Sequence, residues 1–394
     1  MENLLIQTPN RQDKFGFYTV GELKFYSKTE ALMAEVKTGI KHIWHFNDDV
    51  FGAYDWKIEP RQSLDELYRI RAQQLREKYD YLILWYSGGA DSDNILRSFV
   101  ENDIKLDEVA SYVNYEFTGS KEHMQNAEIF YVAYPNIKVA QQKQPWLIHR
   151  IEDYSNDVNN LYKKTDNQSV GIDWIYDLNG WLSVNALAKQ EIKTRIPEWN
   201  NLYEQGKKVC HIYGIDKPVI RKRGNRFISF FWDRIDNAVT PRSQRLNRPW
   251  EFNELFYWTP DLPQLAIKQA HAVKKYLRKP TVFDQDSKTN TGYYAHMHDR
   301  NGNRFNVSHE TINSLIYPKW KPIPYQVKGN SAIYSSRDDW FHNLSENEII
   351  KRNHRVGLEE LWRITPDEYK HDPTNIKEEL GFKSTISKVY DLGF

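Results

Sequence analysis

The sequence predicts an α/β fold: a doubly wound parallel sheet with a short N-terminal cap and a C-terminal mixed helical and loop region. Three observations predict it. The strand-like run Tyr81–Tyr86 (YLILWY) breaks into Ser87-Gly88-Gly89-Ala90-Asp91-Ser92 and then into a helix-like segment. Strand-like and helical stretches alternate over residues 61–240, which implies right-handed crossovers and parallel strands. At 394 residues the chain exceeds one ordinary domain and can bury a large core. The reading divides the chain into a cap (1–60), a sheet-bearing core (61–240) and a substrate or partner region (241–394).

In chain order, the cap alternates short strand-like runs at 15–20 and 23–26 with a helical piece at 28–38, followed by His42-Ile43-Trp44-His45. The two histidines have no further ligand motif nearby, so packing or surface roles outweigh a metal. Ser63-Leu64-Asp65-Glu66 is a capping box that opens a helix running to Lys78, with Leu64, Leu67, Tyr68 and Leu75 on one stripe. The strand 81–86, the glycine loop and a helix over 93–102 follow. A second strand is expected at 108–115, a helix at 123–134 ended by Pro135-Asn136, and a third strand at Ile137–Ala140. Residues 171–205 read as helical and rich in tryptophan. Lys207–Tyr213 reads as the next strand, left through Gly214-Ile215-Asp216-Lys217-Pro218, and Gln264–Leu277 as a clear helix. Residues 281–345 are polar, aperiodic and read as a lid or binding loop; His296-Met297-His298 within them is too short a ligand set to specify a metal. Helices are expected at 346–352 and 358–363, with the terminal ISKVYDLGF docking back.

Ser87–Ser92 reads as a phosphate-binding loop. Glycine lacks the Cβ that would block close approach of backbone to an anion. The helix starting near Asp91 adds its positive end, and Ser87 and Ser92 bring hydroxyl donors. No lysine follows the glycines and the G-x-x-x-x-G-K spacing is absent, so this is not a Walker loop. The alternative is a strand-turn-helix corner whose glycines serve geometry alone.

SGGADS after an apolar strand resembles the motif of the PP-loop ATP pyrophosphatases, which include asparagine synthetases, GMP synthetases, tRNA thiolation enzymes and PAPS reductases; the likeness covers residues 60–240. It implies a HUP-like sheet, ATP and Mg²⁺ as cofactors, and Ser87, Gly88, Gly89, Ala90, Asp91 and Ser92 holding the pyrophosphate end of ATP. It also implies adenine between two strand ends, with Val113 and Asn114 offering backbone and Tyr115 a stacking face; otherwise Tyr115 is an ordinary strand-end aromatic. Across the site, Lys217 would neutralise charge on departing pyrophosphate, while Asp91 and Asp216 would hold the metal; otherwise Asp216 and Lys217 are a solvated pair in a turn. The implied reaction cleaves ATP to AMP and pyrophosphate and adenylates a carboxyl or carbonyl oxygen for attack by an amine. Two other readings stay open: a PAPS reductase-like nucleotide binder without its cysteine, and a module that binds nucleotide or nucleic acid without hydrolysis. The cap stands where asparagine synthetases carry a glutaminase. It is too short for one, and Met1-Glu2 replaces the cysteine nucleophile.

Composition sets further bounds. Cys210 is the only cysteine, which removes disulfides, thiolate zinc sites and iron-sulfur clusters and disfavours the sulfur-handling branches. Net charge is +1, so the chain is no basic nucleic-acid coat as a whole. Charge is nonetheless segregated: residues 217–279 hold 14 Lys and Arg against 5 Asp and Glu, interleaved with Trp232, Trp250, Phe252, Phe256, Tyr257 and Trp258. That stretch suits a phosphate-rich partner, either the triphosphate or a nucleic acid, or is a solvated face. No run approaches 18 apolar residues and the first 30 lack a signal-peptide profile, so the expectation is a cytoplasmic protein without a membrane partner; a homo-oligomer is compatible with it. The aromatic, Asn- and Lys-rich composition points to a viral source.

Overall fold

The capping box at Ser63 forms as its spacing requires. Ser63 Oγ accepts from Glu66 N at 3.2 Å and Glu66 Oε2 accepts from Ser63 N at 2.7 Å, which starts the helix Leu64–Lys78. A computed structural model describes residues 12–122, 126–157, 192–223, 225–233, 249–279, 295–298, 304–322, 356–357, 359–370 and 383–394. Within them the strands are β1 (Phe17–Val20), β2 (Leu23–Phe25), β3 (Ile43–His45), β4 (Tyr81–Trp85), β5 (Glu108–Val113), β6 (Ile148–Asp153), β7 (Val209–Tyr213), β8 (Val219–Arg223), β9 (Arg226–Phe230), β10 (Glu251–Leu255), β11 (Ala295–His298), β12 (Arg304–Asn306) and β13 (Tyr390–Gly393).

The core is a five-stranded sheet, all parallel, ordered β10-β7-β4-β5-β6 and flanked by helices. Numbered within this sheet by chain order, the strands read 3-2-1-4-5. The chain therefore moves outward from β4 to β6 and then returns to build β7 and β10 on the other side, which puts the topological switch point between β4 and β7. Val109, Ala110, Leu82, Ile83, Leu84 and Ile212 are buried, as strands covered on both faces must be. The fifth strand, Glu251–Leu255, lies beyond residue 240, where the sequence division ended the core.

The third strand corrects the sequence expectation. Ile137–Ala140 belongs to the helix Tyr134–Lys143, and the strand is Ile148–Asp153. Pro135 reads as a terminator, but the helical run passes through it: a π turn, Ile129–Ala133, leads directly into Tyr134–Lys143 with Ala133 itself in helical conformation. Residues 281–345 also carry more structure than a lid: β11 and β12 pair as a hairpin, and the helix His309–Ile316 follows, N-capped by Ser308. The Trp174–Leu187 stretch, the 346–352 helix and Arg234, Arg242, Arg245 and Arg248 lie outside the described residues.

The cap is a small antiparallel sheet, β2-β1-β3, with the helix Lys28–Thr38 packed on it. It is stitched to the end of the chain. Buried Asp233 accepts from Tyr18 Oη at 2.8 Å, Lys28 Nζ at 2.7 Å and Thr385 N at 3.1 Å. Tyr390 stacks on Trp56, with centroids 4.5 Å apart, and β13 extends the β12-β11-β8-β9-β13 sheet, so the terminal segment docks back as expected. His42 spans Glu35 and Thr385, and His45 spans Thr19 and Asp48. No helix among the described residues is long and apolar enough to cross a membrane.

Under β10 lies a buried charge cluster. Glu254 takes Arg71 at 3.0 Å, Lys78 at 3.1 Å and Lys14 at 3.2 Å, besides the Tyr79 hydroxyl. Burial opposes ionisation of this carboxyl, but the three cations outweigh it and hold it well below the usual carboxylate range. The folded pKa lies below the unfolded one. The stabilisation is thus complete above the ordinary glutamate pKa of about 4.3 and is lost as pH falls towards the folded value. Glu254→Gln should therefore cost about 3 kcal/mol or more at pH 7, the scale of a broken buried pair. In thermal melts at pH 7 and pH 3, the gap between wild type and variant should narrow at the lower pH; an equal gap at both would show that the carboxylate charge carries none of the cluster's stability.

Candidate functional site

Two loops leave the carboxyl ends of adjacent strands at the switch point: Ser87–Ser92 from β4 and Gly214–Pro218 from β7. The first is a rigid turn. Gly88 has φ +82°, a region that strains a residue with a side chain, and Gly89 is extended and serves as N-cap of the helix Ala90–Val100. Gly89 N donates to Ser87 Oγ at 3.2 Å, Ser92 Oγ donates to Gly89 O at 3.1 Å, and Ser87 N donates to Ser92 Oγ at 3.3 Å. Both serine hydroxyls thus shape the loop from inside. Asp93 N is the donor that reaches back to Gly89 O, so the amides of residues 90–92 form the helix's positive end.

Gly88 answers to packing as well as to approach. A Cβ there would lie 2.9 Å from Ala133 N and 3.1 Å from Ala133 Cβ, against the helical segment that leads into Tyr134–Lys143. Gly214 is close on the other side, though less so, its notional Cβ 3.2 Å from Asp91 Cβ and 3.4 Å from Ser92 N. The β7 loop is therefore pressed onto the start of the β4 helix, and the Ile215–Asp216 peptide within it is cis.

Lys217 crosses this contact. It is 1% exposed, and its Nζ lies 2.5 Å from Asp91 Oδ1 and 2.7 Å from Oδ2. Asp216 sits beside it, with Oδ1 accepting from Lys217 N at 2.7 Å and Oδ2 from Trp232 Nε1 at 3.4 Å. The structure thus brings Asp91, Asp216 and Lys217 together. Val113 and Asn114 are buried at the end of β5; Asn114 N donates to Asn126 Oδ1 at 3.1 Å, and Tyr115 opens a short helix with 41% of its surface exposed.

Sequence reasoning missed an aromatic layer around Asp91. Tyr317 Oη donates to Asp91 Oδ1 at 2.5 Å, and Tyr257 Oη donates to Asp91 O at 2.6 Å and accepts from Asn94 Nδ2 at 3.2 Å. Tyr68 Oη donates to Ile316 O at 2.5 Å and so fixes the segment that presents Tyr317. Burial, followed by the charge of Asp91, pushes the Tyr317 hydroxyl well above its ordinary pKa, so it stays a donor. Tyr257 follows the last core strand, and recognising Glu251–Leu255 as a strand would have found it. No local pattern marks Tyr317. A second cluster lies on the Ala133 side of the loop, where Tyr86 Oη and Asn136 Nδ2 meet Asp93 Oδ1 and burial raises the Asp93 pKa.

Cys210 is fully buried in β7, and burial pushes its thiol up, far from a thiolate. Part of the basic stretch is an exposed hairpin tip carrying Lys222, Arg223 and Arg226, with Arg226 held by Asp391 at 2.6 Å. Among the described residues, no group of three or more His, Cys, Asp or Glu side chains forms a metal site.

No family model matches this chain, and no curated protein matches it.

The packing at Gly88 yields a stability prediction. Gly88→Ala should combine left-handed strain of about 1–2 kcal/mol with the clash on Ala133. Gly39→Ala, at φ +71° with nothing within 4 Å, carries the strain alone. Urea denaturation should show Gly88→Ala the more costly by about 1 kcal/mol or more; equal costs would mean that the loop relaxes away from Ala133.

Proposed function

We propose that the chain is a PP-loop type enzyme with a HUP-like core, one that cleaves ATP to AMP and pyrophosphate and so adenylates a carboxyl or carbonyl oxygen for attack by an amine. One observation carries this reading: a buried lysine, Lys217, facing a glycine-turned helix N-terminus across the switch point of a parallel sheet. That is where ligands of open α/β sheets bind, and an amide-lined helix start opposite an ammonium suits a condensed phosphate.

In the proposed reaction the acceptor oxygen attacks the α-phosphorus and the bond from that phosphorus to the α,β-bridging oxygen breaks. The electron pair leaves on pyrophosphate. The amine then attacks the activated carbon and displaces AMP. The chain's part is positioning and charge: amides of 90–92 and Lys217 hold the leaving pyrophosphate, and Val113, Asn114 and Tyr115 border the adenine. Mg²⁺ fits this site as a companion of the nucleotide. Asp91 already takes an ammonium and a phenol and Asp216 an amide and an indole, so a metal here would be held chiefly by phosphate oxygens with these carboxylates beside it. The buried, protonated Cys210 speaks against thiol chemistry by this chain.

Lys217→Met should lower turnover by about 10²-fold or more while ATP affinity changes far less, because the charge it meets develops as the bond breaks. Pyrophosphate release at saturating ATP and Mg²⁺, with candidate acids and amines added, together with an ATP titration, reads both numbers. Release that requires an added acid or amine supports the ligase. ATP binding without release in wild type would favour a non-hydrolysing nucleotide sensor, and equal loss of binding and turnover in the variant would reduce Lys217 to a structural residue.

A further inference from the structure

We propose that Tyr317 is a positioning residue for the phosphate site: its hydroxyl holds the Asp91 carboxylate so that Lys217 can leave Asp91 for pyrophosphate. The inference rests on the phosphate site described above and adds a residue from the far C-terminal part of the chain to it.

Lys217 is committed to a carboxylate, bonded to both oxygens of Asp91. A pyrophosphate with three or four negative charges competes for that ammonium, and the exchange leaves Asp91 charged in a site where its side chain is only 18% exposed. A buried carboxylate that loses its counter-ion is costly unless other donors stay on it. Tyr317 Oη is such a donor, aimed at Asp91 Oδ1 and fully buried with its ring 5.9 Å from Lys217 Nζ. It is held there by two independent supports. Tyr68 bonds the preceding carbonyl, Ile316 O, and the Tyr317 amide closes the last turn of the helix His309–Ile316 onto Asn313 O. Burial keeps its proton on, so it does not compete as an anion. Tyr257 is the built-in contrast. It is equally buried in the same aromatic layer, 5.5 Å from Tyr317 by ring centroids; its hydroxyl touches that of Tyr317 but donates to the backbone carbonyl of Asp91 rather than to the carboxylate.

The probe is inorganic pyrophosphate, titrated calorimetrically into the full chain as wild type, Tyr317→Phe, Tyr257→Phe, Lys217→Met and the Lys217→Met/Tyr317→Phe double variant, each with a melting temperature. Each phenylalanine keeps the ring and removes only the hydroxyl. Tyr317→Phe should weaken pyrophosphate binding about 10-fold or more, the scale of one hydrogen bond to a charged group, and lower turnover in proportion, with ATP affinity within about threefold. Tyr257→Phe should lose comparable melting temperature and change pyrophosphate affinity less than about threefold. In the Lys217→Met background the Tyr317 change should add almost nothing, because the exchange it supports is gone. Equal effects of the two tyrosines on pyrophosphate affinity, additive losses in the double variant, or a wild type that does not bind pyrophosphate would overturn the inference. Pyrophosphate binding with the Tyr317 pattern but no pyrophosphate release from ATP would leave the inference standing and remove the ATP-cleaving reading instead.

Discussion

The reversal of strand order between β4 and β7 is the constraint on which the rest depends. A chain that leaves β4 on one side and later returns through β7 on the other sets two loops side by side at the carboxyl end, where ligands of open α/β sheets bind. The first loop brings Asp91 there and the second brings Lys217, 2.5 Å apart and largely out of water. An ion pair in such surroundings needs further donors to offset desolvation. That need accounts for the aromatic layer of Tyr68, Tyr257 and Tyr317, and for a segment beyond residue 304 folding back onto the core. The same packing requires glycine at 88, where the loop closes on the segment ending at Ala133, and leaves little room for a side chain at 214.

How far the sequence discloses this depends on whether a feature is local. The capping box at Ser63, the strand into Gly88-Gly89 and the strand into Gly214 are all written within a few neighbouring residues, and each forms where expected. The two sheet edges are not so written. In β10 the buried residues include Glu251, Asn253 and Glu254, which reach the interior only because Lys193, Arg71, Lys78 and Lys14 come to meet them. No apolar alternation marks such a strand. β6 (IHRIED) is an edge strand of half-exposed polar residues and is equally silent, which is why Ile137–Ala140, more apolar, reads as the strand in its place. Asp91 and Lys217 are legible as loop residues, but their contact spans 126 positions and that of Asp91 with Tyr317 spans 226. Side-chain partners at that separation follow from tertiary packing alone.

Cap and tail give the site its support. Tyr18, Lys28 and Thr385 converge on Asp233, just past β9, while Phe46, Phe51, Trp56, Phe231, Trp258 and Tyr390 form one aromatic cluster. Trp258 adjoins Tyr257, and Phe231 ends the β8–β9 hairpin that begins two residues after Lys217. The first and last described segments therefore pack behind the elements that carry Lys217 and Tyr257.

The central claim is that the site formed by Ser87–Ser92 and Lys217 receives the phosphates of ATP. A crystal structure with Mg²⁺ and an ATP analogue carrying a methylene in place of the α,β-bridging oxygen tests it most directly, since the bond proposed to break is then inert. The account predicts β- and γ-phosphate oxygens within hydrogen-bond distance of the amides of 90–92 and facing Lys217, with Tyr317 still on Asp91. An analogue bound elsewhere, or excluded at saturating concentration with the Lys217–Asp91 pair intact, would contradict it.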